Sequence, residues 1–107
     1  MDYKAKLQEL LLVTARQNAS DLHINVGRKP TLRVDGNLFP LENEDIVIPE
    51  VAEGLVIAML NDEQKMKFLA QKELDFSYAL EDKARFRVNV FYQKSFMAAA
   101  LRLIPVK

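Results

Sequence analysis

Two periods of apolar residue alternate along the chain. Tyr3, Leu7, Leu10, Leu11 and Thr14 recur at steps of three and four, while Lys4, Lys6, Glu9, Arg16 and Gln17 take the other faces. That spacing predicts an amphipathic helix over residues 2–18, stopped by the polar run after Gln17. The period then drops to two. Leu22, Ile24 and Val26 alternate with Asp21, His23 and Asn25, which predicts a strand over 20–26. Gly27-Arg28-Lys29-Pro30 reads as a turn, and 31–35 as a second strand with Leu32 and Val34 inward and Arg33 outward. Asp35-Gly36 is a hairpin signal, because a type I′ turn needs positive φ at both central residues. The returning strand, 37–41, carries Pro40 and belongs at a sheet edge.

An acidic connection over 42–48 leads to Pro49, which suits the first position of a helix. Val51, Leu55, Ala58 and Met59 continue that helix to about Leu60. Asn61 and Gln64 stand at capping-box spacing before a second, shorter helix, in which Met66, Phe68 and Leu69 are expected to be buried. Three strands follow, over 73–80, 84–93 and 96–104. In the middle one Phe86, Val88, Val90 and Tyr92 share a face, opposite Arg85, Arg87, Asn89, Phe91 and Gln93. In the last, Ala98, Ala100 and Arg102 oppose Met97, Ala99, Leu101 and Leu103, and the small alanines leave room for close packing. The order α-β-β-β-α-α-β-β-β, with antiparallel runs separated by helices, gives the α+β class.

Composition narrows the function. At 107 residues the chain is one domain, and fifteen basic residues balance fifteen acidic ones. A neutral balance lacks the general field of a nucleic-acid binder, so Phe91, Tyr92 and Phe96 near basic groups are not read as a nucleic-acid platform. There is no cysteine and a single histidine, His23, so disulfides, thiolate zinc sites and multi-histidine sites are excluded. No apolar run approaches the ~18–20 residues of a membrane span, and the N-terminus has no secretion-signal pattern. The three glycines, Gly27, Gly36 and Gly54, and the lack of Gly-Lys-Ser/Thr exclude a phosphate loop.

Three constellations could carry chemistry. Arg85 and Arg87 share a sheet face, and a hairpin with the last strand brings Arg102 towards it. Three guanidiniums there form an anion clamp, since the planar fork donates bidentate hydrogen bonds to phosphate. The ordinary alternative is a solvated face paired to Glu73 or Asp75, and on spacing alone it is preferred. Asp21 and His23 also share a face, an arrangement that can orient a general base. No serine or cysteine stands at triad spacing, so a structural histidine bonded to Asp21 or another segment is preferred. Glu73 and Asp75 are adjacent carboxylates on one strand face, expected to form cross-strand ion pairs with the arginines.

Taken together, five segments carry a resemblance. They are Ala19-Ser20-Asp21-Leu22-His23-Ile24; Gly27-x-x-Pro30-x-Leu32-Arg33-Val34-Asp35-Gly36; Glu73-Leu74-Asp75-Phe76-Ser77; and Ala84-Arg85-Phe86-Arg87-Val88-Asn89-Val90-Phe91-x-Gln93, closed by Leu101-Arg102-x-Ile104-Pro105. In this order they resemble the N-terminal domain of the type IV pilus retraction ATPases, the twitching-motility motors of the type II/IV secretion ATPase superfamily. The resemblance departs from the pattern after Gln93, where Lys94-Ser95-Phe96 has no glycine, and at Leu101, where Phe is frequent.

The resemblance implies a PAS-like α+β domain over 1–104. Residues 105–107 would begin a linker to a RecA-like ATPase domain whose motifs this chain lacks. It implies a homohexamer in which each N-terminal domain packs on the neighbouring subunit's ATPase domain. ATP and Mg2+ are the cofactors of such a parent, not of this chain alone, which is expected to be inactive. Arg85, Arg87 and Arg102 match the arginines that reach nucleotide phosphates across the domain gap. The partners implied are neighbouring subunits and the inner-membrane platform of the pilus machine, without nucleic acid or membrane insertion. The implied location is the cytoplasm, peripheral to the inner membrane. The alternative from a different class is a stand-alone PAS-like ligand-binding or protein-interaction module, which requires a pocket.

Overall fold

The computed structural model describes residues 1–105. Its elements run α1 (Tyr3–Arg16), β1 (Asp21–Ile24), β2 (Thr31–Val34), β3 (Asn37–Pro40), α2 (Pro49–Ala58), α3 (Asp62–Gln71), β4 (Glu73–Leu80), β5 (Ala84–Gln93) and β6 (Phe96–Leu103). This is the expected α+β order, an antiparallel sheet flanked by helices. Of the expected linker start at 105–107, residues 106 and 107 lie outside the described residues.

Each helix begins at a start signal in the sequence, a side-chain cap for α1 and α3 and a proline for α2. The Ala5 N–H donates to Asp2 Oδ1 at 3.0 Å, satisfying one of the free amides at the start of α1. Pro49 opens α2, where its missing N–H costs nothing. Asn61 and Gln64 form a reciprocal capping box on α3, at 2.7 and 3.0 Å. Lys72 ends α3 in the left-handed conformation, and its N–H donates to the Phe68 carbonyl at 2.7 Å.

The six strands lie in the order β3-β2-β1-β6-β5-β4. Two antiparallel meanders, one from each end of the chain, are joined by the β1–β6 pair, with Leu22 opposite Leu101. The helices cover one face of the sheet. Leu7, Leu10 and Leu11 of α1, Ala52, Leu55 and Val56 of α2 and Phe68 of α3 bury against Leu22, Ile24, Phe86, Val88, Val90 and Leu101. Burying each of the larger side chains stabilises the fold by about 1.5–3 kcal/mol, so this shared face sets the strand register.

Two sequence expectations change. Met66 is 74 % exposed and Leu69 42 % exposed, so α3 buries Phe68 alone. Phe68 stacks on Tyr92 with centroids 5.1 Å apart, and that single anchor docks the helix on β5. Strand β1 stops at Ile24 instead of reaching Val26. Beyond it the chain bonds to the 42–48 connection: Gly27 N–H donates to Val47 O and Val47 N–H to Arg28 O, both at 2.8 Å. These two bonds bury Val47 and fix the loop between β1 and β2.

Candidate functional site

The face of the sheet turned away from the helices carries the polar residues. Direct cross-strand pairing lines up Leu38, Arg33, Asp21, Arg102, Arg87 and Ser77 in one row, from β3 through to β4. Period-two geometry places Arg85 on the same face as Arg87, at the next step along β5. The sheet therefore brings together all three arginines singled out from the sequence, and Arg87 and Arg102 stand directly opposite each other.

Opposed like charges on neighbouring strands are unfavourable. Asp21 answers this on one side. Its carboxylate accepts from Arg102 Nε at 3.3 Å and from the Ser20 hydroxyl at 2.7 Å, and lies 3.8 Å from Arg33 Nε. Its side chain is only 12 % exposed, against 74 % for Arg102, so a nearly buried anion anchors a guanidinium that otherwise faces water. Arg85 and Arg87 are exposed and have no carboxylate within ion-pair distance among the described residues. The arrangement leaves a net excess of guanidinium donors at fixed spacing, which can bind a multivalent anion such as a phosphate chain.

The other sequence candidates resolve differently. Asp21 is engaged by arginines and Ser20, so it does not orient His23 as a base. No side-chain hydrogen bond to His23 is present among the described residues, so the expected bonded structural histidine is not found. Instead His23 lines a cavity on this same face. Glu73 and Asp75 do not pair with arginines. Both accept from Asn89 Nδ2, at 3.1 and 3.2 Å. Register is the cause: Asp75 faces Asn89, and Arg87 faces Ser77 two pairs further along. Ala98 is already buried within the chain, while Ala100 is half-buried on the open face.

Arg33 is the residue that sequence reasoning missed. Alternation points it outward on its strand, but only the pairing of Asp21 with both Arg33 and Arg102 brings it into the row. The available signal was the antiparallel pairing of the first two strands. Among the described residues no cluster of His, Asp and Glu is arranged to hold a metal ion, and no helix is long and apolar enough to cross a membrane.

No family model matches the chain. Individual proteins do. The type IV pilus retraction ATPase PilT of Pseudomonas aeruginosa is 41 % identical over 106 residues, covering 94 % of this chain and 29 % of that protein. The type IV pilus ATPase PilU of the same organism is 29 % identical over 99 residues, covering 92 % of this chain and 26 % of that protein. A crystal structure of the pilus retraction motor PilT with bound ADP superposes with a TM-score of 0.87 at 30 % identity, covering 94 % of this chain and 29 % of that one. The chain thus spans under a third of the length of the curated relatives it matches. By sequence and by fold, the chain belongs with the type IV pilus retraction ATPases and corresponds to their N-terminal domain.

Proposed function

We propose that this domain serves a hexameric pilus-retraction ATPase as an assembly and regulatory element. It packs on the neighbouring subunit's ATPase domain and offers Arg85, Arg87 and Arg102 to nucleotide phosphates. Residues 1–104 form the domain, and the linker to a RecA-like ATPase domain follows. The parent uses ATP and Mg2+, works in the cytoplasm against the inner membrane, and passes its motion to the platform of the pilus machine.

The observation that carries this reading is the opposition of Arg87 and Arg102. Two guanidiniums across a strand pair gain most from a shared anion, since a phosphate between them turns a repulsive pair into two charge-assisted contacts. Asp21 holds Arg102 without neutralising Arg85 or Arg87. Rigid strands fix the spacing, so the donors need little reorganisation when charge develops on a transferring phosphoryl group. The relative with the same fold and bound ADP supports a nucleotide as the phosphate carrier.

The test is ATP turnover by the full-length parent carrying Arg87→Ala or Arg102→Ala. Loss of a positioned donor to phosphoryl charge is expected to lower turnover by about tenfold or more, with an unchanged melting temperature for Arg87→Ala. Unchanged turnover in both variants overturns the assignment and returns the arginines to ordinary surface charge.

A further inference from the structure

At the β3–β2 end of the arginine row, on the same open face, lies a cavity of about 460 Å³. It runs from the β1–β2 loop to the β5–β6 hairpin. Arg28, Arg33 and Lys94 supply its cationic donors, and Leu38 and Phe96 its exposed large apolar surfaces. Arg85, Arg87 and Arg102 are not among its lining residues.

Its charge is anomalous. The chain as a whole is neutral, with fifteen residues of each sign, yet three permanent cations line this cavity and no Asp or Glu does. Arg28 and Lys94 have no ion-pair partner among the described residues, whereas Arg33 lies 3.8 Å from Asp21 Oδ2. A concave surface lined by one sign of charge focuses its field and concentrates counter-ions. The backbone holds both ends of the cavity in place. The Arg28 carbonyl is tied to Val47 N–H at 2.8 Å. Lys94 and Ser95 occupy a tight hairpin turn with φ of 52° and 71°, a conformation that non-glycine residues adopt at a cost. Phe96 (41 % exposed) and Leu38 (54 % exposed) leave apolar area in water beside these cations.

We propose that this cavity is a binding site for a small aromatic phosphomonoester, one that shares Arg33 with the arginine row but does not reach Arg85, Arg87 or Arg102, and is independent of the function proposed above. The phosphate dianion matches the charge of the two unpaired cations, Arg28 and Lys94, with Arg33 beside them, and a single carboxylate supplies too little charge for that pair. The ring covers the exposed face of Phe96. The volume lies within the range of small-molecule sites.

Titration of the isotope-labelled chain with phenyl phosphate at fixed ionic strength, followed by amide chemical shifts, tests this. Saturable shifts at His23, Thr31, Arg33, Lys94 and Ala98 are expected, with inorganic phosphate and phenol each binding about tenfold more weakly or worse. The double variant Arg28→Gln, Lys94→Gln, made at two exposed positions, is expected to weaken phenyl phosphate about tenfold or more with an unchanged melting temperature. Phe96→Ala is expected to weaken phenyl phosphate but leave inorganic phosphate unchanged. Shifts that never saturate, shifts centred on Arg85 and Arg87, or undiminished affinity in the double variant overturn the site. Equal affinity for phosphate and phenyl phosphate overturns the aromatic assignment.

Discussion

Asp21 on β1 and Arg102 on β6 face each other across the strand pair that joins the two meanders, with Arg102 Nε donating to Asp21 Oδ1 at 3.3 Å. The residues are 81 positions apart in the chain. The carboxylate is nearly buried and serves Arg33 as well, so it is the charge that makes a row of arginines tolerable at the centre of the sheet.

Asp21→Asn keeps the shape and removes the charge. Arg33, Arg102 and Arg87 then stand in one row with no carboxylate between them. The expected cost is about 1–3 kcal/mol of unfolding free energy, from lost charge-assisted bonds and unrelieved repulsion. Urea denaturation at low and high salt checks this. The deficit is expected to shrink at high salt, because the repulsion among the exposed guanidiniums is screened. A variant as stable as wild type at low salt contradicts the role given to Asp21.

Much of this arrangement was legible in the chain itself. Period-two alternation in residues 84–93 put Arg85 and Arg87 on one face, and Asp35-Gly36 announced its turn, where both φ values are positive. The capping box at Asn61 and Gln64 was read directly from spacing. What failed depended on contacts between distant segments. Met66 and Leu69 fit a helical stripe as well as Phe68 does, but only Phe68 meets an aromatic partner, Tyr92 on β5. The partner of Glu73 and Asp75 hinged on a register that shifts by whole pairs, and local pattern does not specify it. The bonding of Gly27 and Arg28 to Val47 shortened β1, and nothing in residues 20–26 signals it.

The Lys94-Ser95 turn offers a stabilising change. Both residues have positive φ, 52° and 71°, in a two-residue hairpin that favours glycine at its second position. Ser95→Gly relieves the strain of a side chain in the left-handed region. The expected gain is about 0.5–1 kcal/mol, read as a higher urea midpoint with an unchanged slope. A loss of stability means that Ser95 makes a contribution that outweighs its backbone strain.

Gly54 lies inside α2, where alanine is ordinarily better by about 1 kcal/mol. Here a Cβ would come within 2.5 Å of the Tyr3 ring. Gly54→Ala is therefore expected to destabilise by about 1–3 kcal/mol, because the ring of α1 packs flat on the α2 backbone. The sign reverses without that ring. In a Tyr3→Ala background the same substitution is expected to be neutral or stabilising, and a double-mutant cycle by thermal or urea unfolding measures the coupling. Additive effects contradict the close approach of the two helices.

Lys6 and Glu44 link α1 to the connection before α2 at 2.6 Å, with side chains 28 % and 9 % exposed. The hydrogen bond to Glu44, opposed by partial burial and helped by Glu9, raises the Lys6 ammonium above its ordinary value. Lys6→Met leaves the Glu44 carboxylate nearly buried without this cation, and a cost of about 1–3 kcal/mol is expected near neutral pH. The pH dependence follows from the sign of the shift. A lysine whose folded value is raised binds its proton more tightly in the native state, so its stabilisation is fully present below the unfolded value of about 10.4. It is lost as pH rises through the higher folded value. Unfolding free energies of wild type and Lys6→Met are therefore expected to converge on the alkaline limb and to stay apart from neutral pH up to about 10. A gap that persists unchanged into strong alkali contradicts the assignment of the loss to the lysine charge.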